Sequence, residues 1–120
     1  MEGFIRNLFK DVIENECYDE KLIDKYFSDE YVQCVNNVNL DFNTFKKHIQ
    51  KLKSKVKKQH VEFENIVFND NFVFTKHYVE SILINNEVVK HKVLAEFSIL
   101  NGKVVHCDEF KATFKLSILF

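Results

Sequence analysis

The run from His60 to Phe114, HVEFENIVFNDNFVFTKHYVESILINNEVVKHKVLAEFSILNGKVVHCDEFKATF, decides the fold. From His60 the apolar residues recur with period two. Val61, Phe63 and Val67 mark a first strand, closed by the turn residues Asn69-Asp70-Asn71. Phe72–Ile84 reads as a long second strand and Val88–Leu100 as a third, with Asn85-Asn86-Glu87 between them. Asn101-Gly102 is the strongest local signal, because both residues accept the positive φ that a two-residue hairpin requires. Lys103 to about Phe114 is the fourth strand, and the closing run from Lys115 to Phe120 either extends it or covers an edge. Four consecutive strands joined by tight turns make an antiparallel meander. Strands of roughly twelve residues are long for so short a chain, so the sheet is expected to bend.

The residues ahead of this run are helical. Phe4, Ile5, Leu8, Phe9, Val12 and Ile13 form one stripe, with Arg6, Asn7, Lys10, Asp11 and Glu14 opposite. That polar face is mixed in sign, which favours packing on a core over lying on a membrane. Asp19 is placed to cap a second helix carrying Leu22, Ile23, Tyr26 and Phe27. Tyr31–Val35 reads as a short strand. Asp41 is placed to cap a third helix, on which Phe42, Phe45, Ile49, Leu52 and Val56 share a face. Seven lysines between Lys46 and Lys58 read as the solvated side of that helix. Helices first and strands after them give an α+β protein. The predicted architecture is a cystatin-like, cone-shaped sheet of four long strands plus one short one, wrapped around three N-terminal helices. Residues 1–120 form one domain in this reading.

Composition narrows the function. Apolar residues are 46% of the chain and 13 are Phe, so core material is ample. At this length about two-thirds of the unfolded chain's surface is buried on folding. A net charge of −1 is not that of a nucleic-acid binder. The chain has no Pro, and its two glycines, Gly3 and Gly102, exclude the glycine-rich loops that cradle nucleotide phosphates. Cys17, Cys34 and Cys107 are too widely spaced for a zinc knuckle or a redox pair, and three unpaired thiols suit a reducing, cytoplasmic setting. Charges interrupt the N-terminal apolar run, and nothing reaches the length of a transmembrane span. No cofactor is implied.

Several strings resemble the SnoaL-like branch of the nuclear-transport-factor-2-like superfamily. They are YFSDEYVQCVNN at the second helix and first strand, VNLDFNTFKKHI after it, NDNFVFTKHYV, and AEFSILNGKVVHCDEF at the last hairpin. Together they span nearly the whole chain. The resemblance implies a cone-shaped cavity in which enzymes of the superfamily use a carboxylate made more basic by dry surroundings. It also implies non-catalytic relatives that dimerise through the outer sheet face.

Mapped residue by residue, the resemblance removes some chemistry. The isomerase base falls on Val35 and its proton-donating acid on Ala95. The epoxide hydrolase's Arg and Asp fall on Val93 and Ala95. The first-strand His of relatives is Cys34 here. One carboxylate remains, because the last-strand Asp of the cyclases falls on Glu109. Strict alternation groups Val105, Cys107 and Glu109 on one strand face, making Glu109 the candidate general base. His77 matches a strand histidine of cyclase-like relatives and is the second catalytic candidate, although alternation leaves open whether His77 or Tyr78 turns inward. Cys34, Val35, His91, Val93, Ala95, Phe97, Val105 and Cys107 are expected to line the cavity.

Two tempting sites are set aside. His106, Cys107 and Asp108 are adjacent in sequence, so on a strand they cannot converge as a triad. His60, Glu62 and Glu64 share a face but read as a solvated strand, and no metal is assigned. Two functions remain. One is binding of a small apolar ligand, with isomerase- or cyclase-like acid–base chemistry possible at Glu109. The other is a non-catalytic association module whose Phe side chains fill the cavity. A homodimer through the outer sheet face fits both.

Overall fold

A computed structural model of the chain describes residues 1–115. The expectation for the run ending at Phe120 concerns residues outside the described ones. Three helices, α1 (Glu2–Leu8), α2 (Glu20–Tyr26) and α3 (Phe42–Lys55), pack on one face of a six-stranded curved sheet. The strands are β1 (Phe27–Val35), β2 (Val38–Asp41), β3 (Val56–Phe68), β4 (Phe72–Leu83), β5 (Val88–Leu100) and β6 (Lys103–Lys115), in the spatial order β2-β1-β6-β5-β4-β3. The meander from β3 to β6 is antiparallel throughout, whereas β1 lies parallel to β6.

Side-chain chemistry sets the boundaries. Asp19 accepts hydrogen bonds from the Lys21 and Leu22 amides, and Asp41 from the Thr44 amide, so both helices start at a carboxylate cap. Asn101 and Gly102 both hold positive φ between the paired Leu100 and Lys103, closing the last hairpin. Asn36 and Asn37 do the same between Val35 and Val38. That turn creates β2, a strand the sequence reading lacks: Val38-Asn39-Leu40-Asp41 offers only two apolar positions, too few to register as a strand.

The first helical stripe does not remain an α-helix. α1 runs into a π-helical turn at Phe9–Ile13, closed by Glu14 N–H donating to the Phe9 carbonyl at 2.9 Å. Glu14 then accepts from the Val61 amide at 2.8 Å, tying this segment to edge strand β3. On the other side, the half-buried Lys53 of α3 donates to the Ile13 carbonyl. Burial lowers the Lys53 ammonium to a pKa of about 8.

The ladder carries three single-residue bulges. Val56 and Lys58 pair with consecutive residues of β4, leaving Lys57 extra. Phe63 and Asn65 leave Glu64 extra in the same way, and Val104 and His106 leave Val105 extra against β5. Each bulge bends its strand and adds twist. The core lies between sheet and helices, with Ile5, Leu8, Ile23, Tyr31, Val73 and Val104 essentially sealed from solvent. Phe27, Tyr31, Phe42 and Phe45 form an aromatic cluster at its β1–α3 end, with centroids 4.7–6.3 Å apart.

Candidate functional site

A cavity of about 430 Å³ opens between the concave sheet face and the helices. Its floor is the inward row of β4, β5 and β6. One wall is α1 with its π-helical turn, through Leu8, Phe9 and Ile13. The facing wall is α3 and β2, through Phe45, His48, Ile49, Leu52, Val38 and Leu40. This is the size of a small-molecule site.

Glu109 projects from β6 into this space, opposite Ala95 of β5 and Val35 of β1. Its carboxylate accepts a hydrogen bond from Gln33 Nε2. Burial pushes its pKa up, with a smaller push from Asp108, while the Gln33 bond and the Lys111 charge pull it back. The result is a carboxylate more basic than an exposed one and aimed at an apolar space. The end of β1 beside it is fixed by Asn36. Its side chain bonds both the amide and the carbonyl of Lys111, while its own amide donates to the Glu109 carbonyl at 2.9 Å.

His77 turns inward and Tyr78 outward, which settles what alternation left open. His77 is 2% exposed, lies edge-on to Phe9 at 4.8 Å, and shares a hydrogen bond of 2.8 Å with Thr75 Oγ1 through Nδ1. Burial lowers its pKa to about 4, so the ring is neutral at physiological pH. His77 and Glu109 sit two strands and one inward step apart, about 12 Å between α-carbons on a flat sheet. They do not touch, and a ligand would have to bridge them.

Val35, His91, Val93, Phe97 and Cys107 also line the cavity. His91 is half-buried, pairs with Thr113 Oγ1 at 2.9 Å, and has its pKa lowered by burial and by Lys111. The Cys107 thiol is 2% exposed and burial raises its pKa well above the usual range, which suits a packed side chain rather than a nucleophile.

Three expected lining residues are not among those that form the wall. Cys34 alternates with Gln33 and Val35 and so faces the other side of β1. Ala95 shares the inward face with Val93 and Phe97 and is buried in its row between Thr75 and Glu109. Val105 is the bulged residue. The extra position shifts the alternation, so Val104 is the fully buried one while Cys107 and Glu109 still point inward. Among the described residues, no group of three or more His, Cys, Asp or Glu side chains is placed to hold a metal ion.

The structure adds polar groups that the sequence reading did not single out. Gln33 reaches Glu109 through the parallel β1–β6 pairing. Gln59, 8% exposed, donates to Ser81 Oγ at 3.0 Å. Its Oε1 is the one buried side-chain polar atom without a hydrogen-bond partner among the described residues.

No protein-family model matches the chain. It is 27% identical over 108 residues to an uncharacterised protein of Schizosaccharomyces pombe, covering 90% of this chain and 82% of that protein. Among solved structures it is similar to AclR, a candidate hydroxylase from Streptomyces galilaeus, with TM-score 0.77 and 14% identity over 92% of this chain and 74% of that one. It is also similar to a candidate SnoaL-like polyketide cyclase from Jannaschia sp. CCS1, with TM-score 0.75 and 11% identity over 91% and 83%. An NTF2-like protein of unknown function from Exiguobacterium sp. 255-15 matches with TM-score 0.71 and 18% identity over 88% and 96%. The chain therefore has the nuclear-transport-factor-2-like fold.

Proposed function

We propose that this chain, as one SnoaL-like domain over residues 1–120, binds a small, mainly apolar molecule in the cavity and that Glu109 serves it as a general base. The observation that carries this reading is the carboxylate itself: half-buried, held by Gln33, raised in pKa, and facing apolar walls. Neutral His77 lies across the floor as a hydrogen-bonding group for the far side of the ligand. Isomerase- or cyclase-like proton transfer fits this equipment, and the similarity to a candidate polyketide cyclase supports that class. The test is an NMR titration of the Glu109 carboxyl carbon, with chemical shifts followed as apolar fragments are added. The expected result is a pKa above that of exposed glutamates and shifts confined to the cavity. An ordinary pKa with no shifts would remove the base and the binding site together.

A second reading, association through the outer sheet face, is favoured by a separate observation. Phe74, Leu94, Phe110 and Phe114 are between 46% and 57% exposed on the convex side. Leu94 and Phe110 are direct cross-strand partners, and Phe74 lies one diagonal step from Leu94 on the same face. A homodimer through this face is compatible with the cavity function. Light scattering at micromolar concentration is expected to give twice the chain mass, and Phe110→Lys to return it to a monomer. A wild-type monomer would reject the dimer and leave the cavity reading standing. The free cysteines fit a reducing, cytoplasmic compartment, and among the described residues no helix is long and apolar enough to cross a membrane.

A further inference from the structure

We infer that the ligand enters the cavity apolar end first and leaves a carboxylate at the mouth, held by Lys111 of β6 and His48 of α3. This rests on the reading of the cavity as a ligand site, and it adds the chemical class of that ligand, an amphipathic monoanion.

Exposure locates the mouth. Of the described residues that line the cavity, Val38, His48 and Lys111 are exposed, and the rest are buried or half-buried. The inward side chains of β6 show the gradient: Cys107 is buried, Glu109 half-buried and Lys111 exposed. An apolar body gains by moving down this gradient, whereas an ionised group loses its water there and stays at the top. The rim is built to receive such a group. The Lys111 backbone is clamped, since its amide donates to Asn36 Oδ1 at 2.9 Å and its carbonyl accepts from Asn36 Nδ2 at 3.1 Å. Its ammonium has no ion-pair partner among the described residues.

Glu109, the one carboxylate among the described lining residues, is held instead by Gln33 of β1. The Lys111 charge acts on both Glu109 and His91, which line the cavity on either side of its row, so the ammonium lies on the cavity side of the strand. From α3 His48 brings an imidazole to the same rim, with at least one N–H to donate in either protonation state. A carboxylate at the mouth accepts from both side chains. A neutral head leaves the Lys111 charge unanswered, and a cationic one meets it with like charge. The preference therefore runs anion, then neutral, then cation. Glu109 is two residues deeper on β6, about 7 Å along the strand. The part of the ligand next to its head group thus passes the base.

The test uses a matched pair of probes, 2-naphthoate and 2-naphthamide, which share a shape and differ by one charge. Their affinities for the whole chain are measured by fluorescence at pH 7, with the amide shifts of Val93 and Glu109 locating the probe. The readout is the ratio of the two affinities in wild type against Lys111→Met, a change that keeps the apolar stem and removes the charge. The ratio, in favour of naphthoate in wild type, is expected to fall about two- to fivefold, the size of a half-exposed ion pair. In Lys111→Glu, which sets like charges together, a fall of about tenfold is expected, and in His48→Leu one of about twofold. Added salt should weaken naphthoate binding to wild type and leave naphthamide unaffected; that measurement decides the matter if the variants do not fold. Equal affinities in wild type, a ratio unchanged in Lys111→Glu, or naphthoate shifts outside the cavity would overturn the anion preference while leaving the cavity function intact. Failure of wild type to bind either probe would overturn the cavity reading and this inference with it.

Discussion

On its concave side β4 carries Thr75, His77 and Ser81, each 5% exposed or less, while the convex side of the same strand carries Phe74 at 46%. β6 repeats the contrast, with the ionisable Glu109 turned inward and Phe110 and Phe114 turned out. In most half-buried sheets the polar residues face water. The inward polar groups are tolerated because they bond one another, Thr75 with His77, Gln59 with Ser81 and Gln33 with Glu109. The outward rings have no such arrangement and are left exposed. Each face is thus at odds with folding alone, the inner one suiting a ligand and the outer one a second protein surface.

Large-to-small changes should separate the two faces most clearly. Phe97→Ala removes a ring that is 5% exposed and edge-on to Phe9, and is expected to cost about 3–5 kcal/mol in urea unfolding. Phe110→Ala on the convex side is expected to change the stability of the monomer by only about 0.5 kcal/mol. Equal losses would mean the outer ring is packed in the isolated chain, and the contrast would disappear.

Acid should expose the next difference. His77 falls from its ordinary 6.5 to a pKa of about 4 in the folded chain. Below about 6.5 the unfolded chain therefore takes up a proton that the native state refuses until about pH 4. Stability falls as pH drops through that window, by about 3 kcal/mol in total if His77 acts alone. His77→Phe should flatten this part of the curve, as read by unfolding midpoints at pH 7 and pH 4. A variant as acid-sensitive as wild type would place the proton uptake elsewhere.

The smallest effect, and of opposite sign, belongs to Glu109. Its folded pKa is raised, so the native carboxyl holds its proton at pH values where the unfolded chain has released it. Stability is full below the unfolded value of about 4.3 and declines as pH rises through the folded one. Glu109→Gln should therefore be more stable than wild type near neutrality and indistinguishable from it in acid. A loss of stability at pH 7 would mean that the Gln33 bond outweighs the burial of the charge.

Those residues differ in how visible they are from sequence. The meander was legible because its turns are written in Asn and Gly, and Asn101 and Gly102 adopt the positive φ that such a pair implies. The caps at Asp19 and Asp41 were legible for a similar local reason. β2 was not, since its hairpin depends on Asn36 and Asn37 in a stretch with little apolar pattern. Period-two reasoning brought His77, His91, Val93, Phe97, Cys107 and Glu109 onto strands, but the bulge at Val105 interrupts the alternation it relies on. Gln33 stands 76 residues from Glu109, joined to it by a parallel pairing that no local window contains. Gln59 was missed because the strand, read as starting at His60, begins at Val56 behind a run of lysines.

The three bulges also make the cavity's shape separable from its chemistry. Lys57, Glu64 and Val105 are supernumerary: none has a partner in the ladder, and none is among the residues lining the cavity. Deleting any one of them leaves the neighbours on the faces they already occupy, with Gln59, Phe63 or Cys107 and Glu109 still turned inward. What changes is the local bend of the strand. Single-codon deletions therefore become a dial on cavity volume that leaves its lining untouched, so widening or flattening the cone need not wait on any substitution inside it.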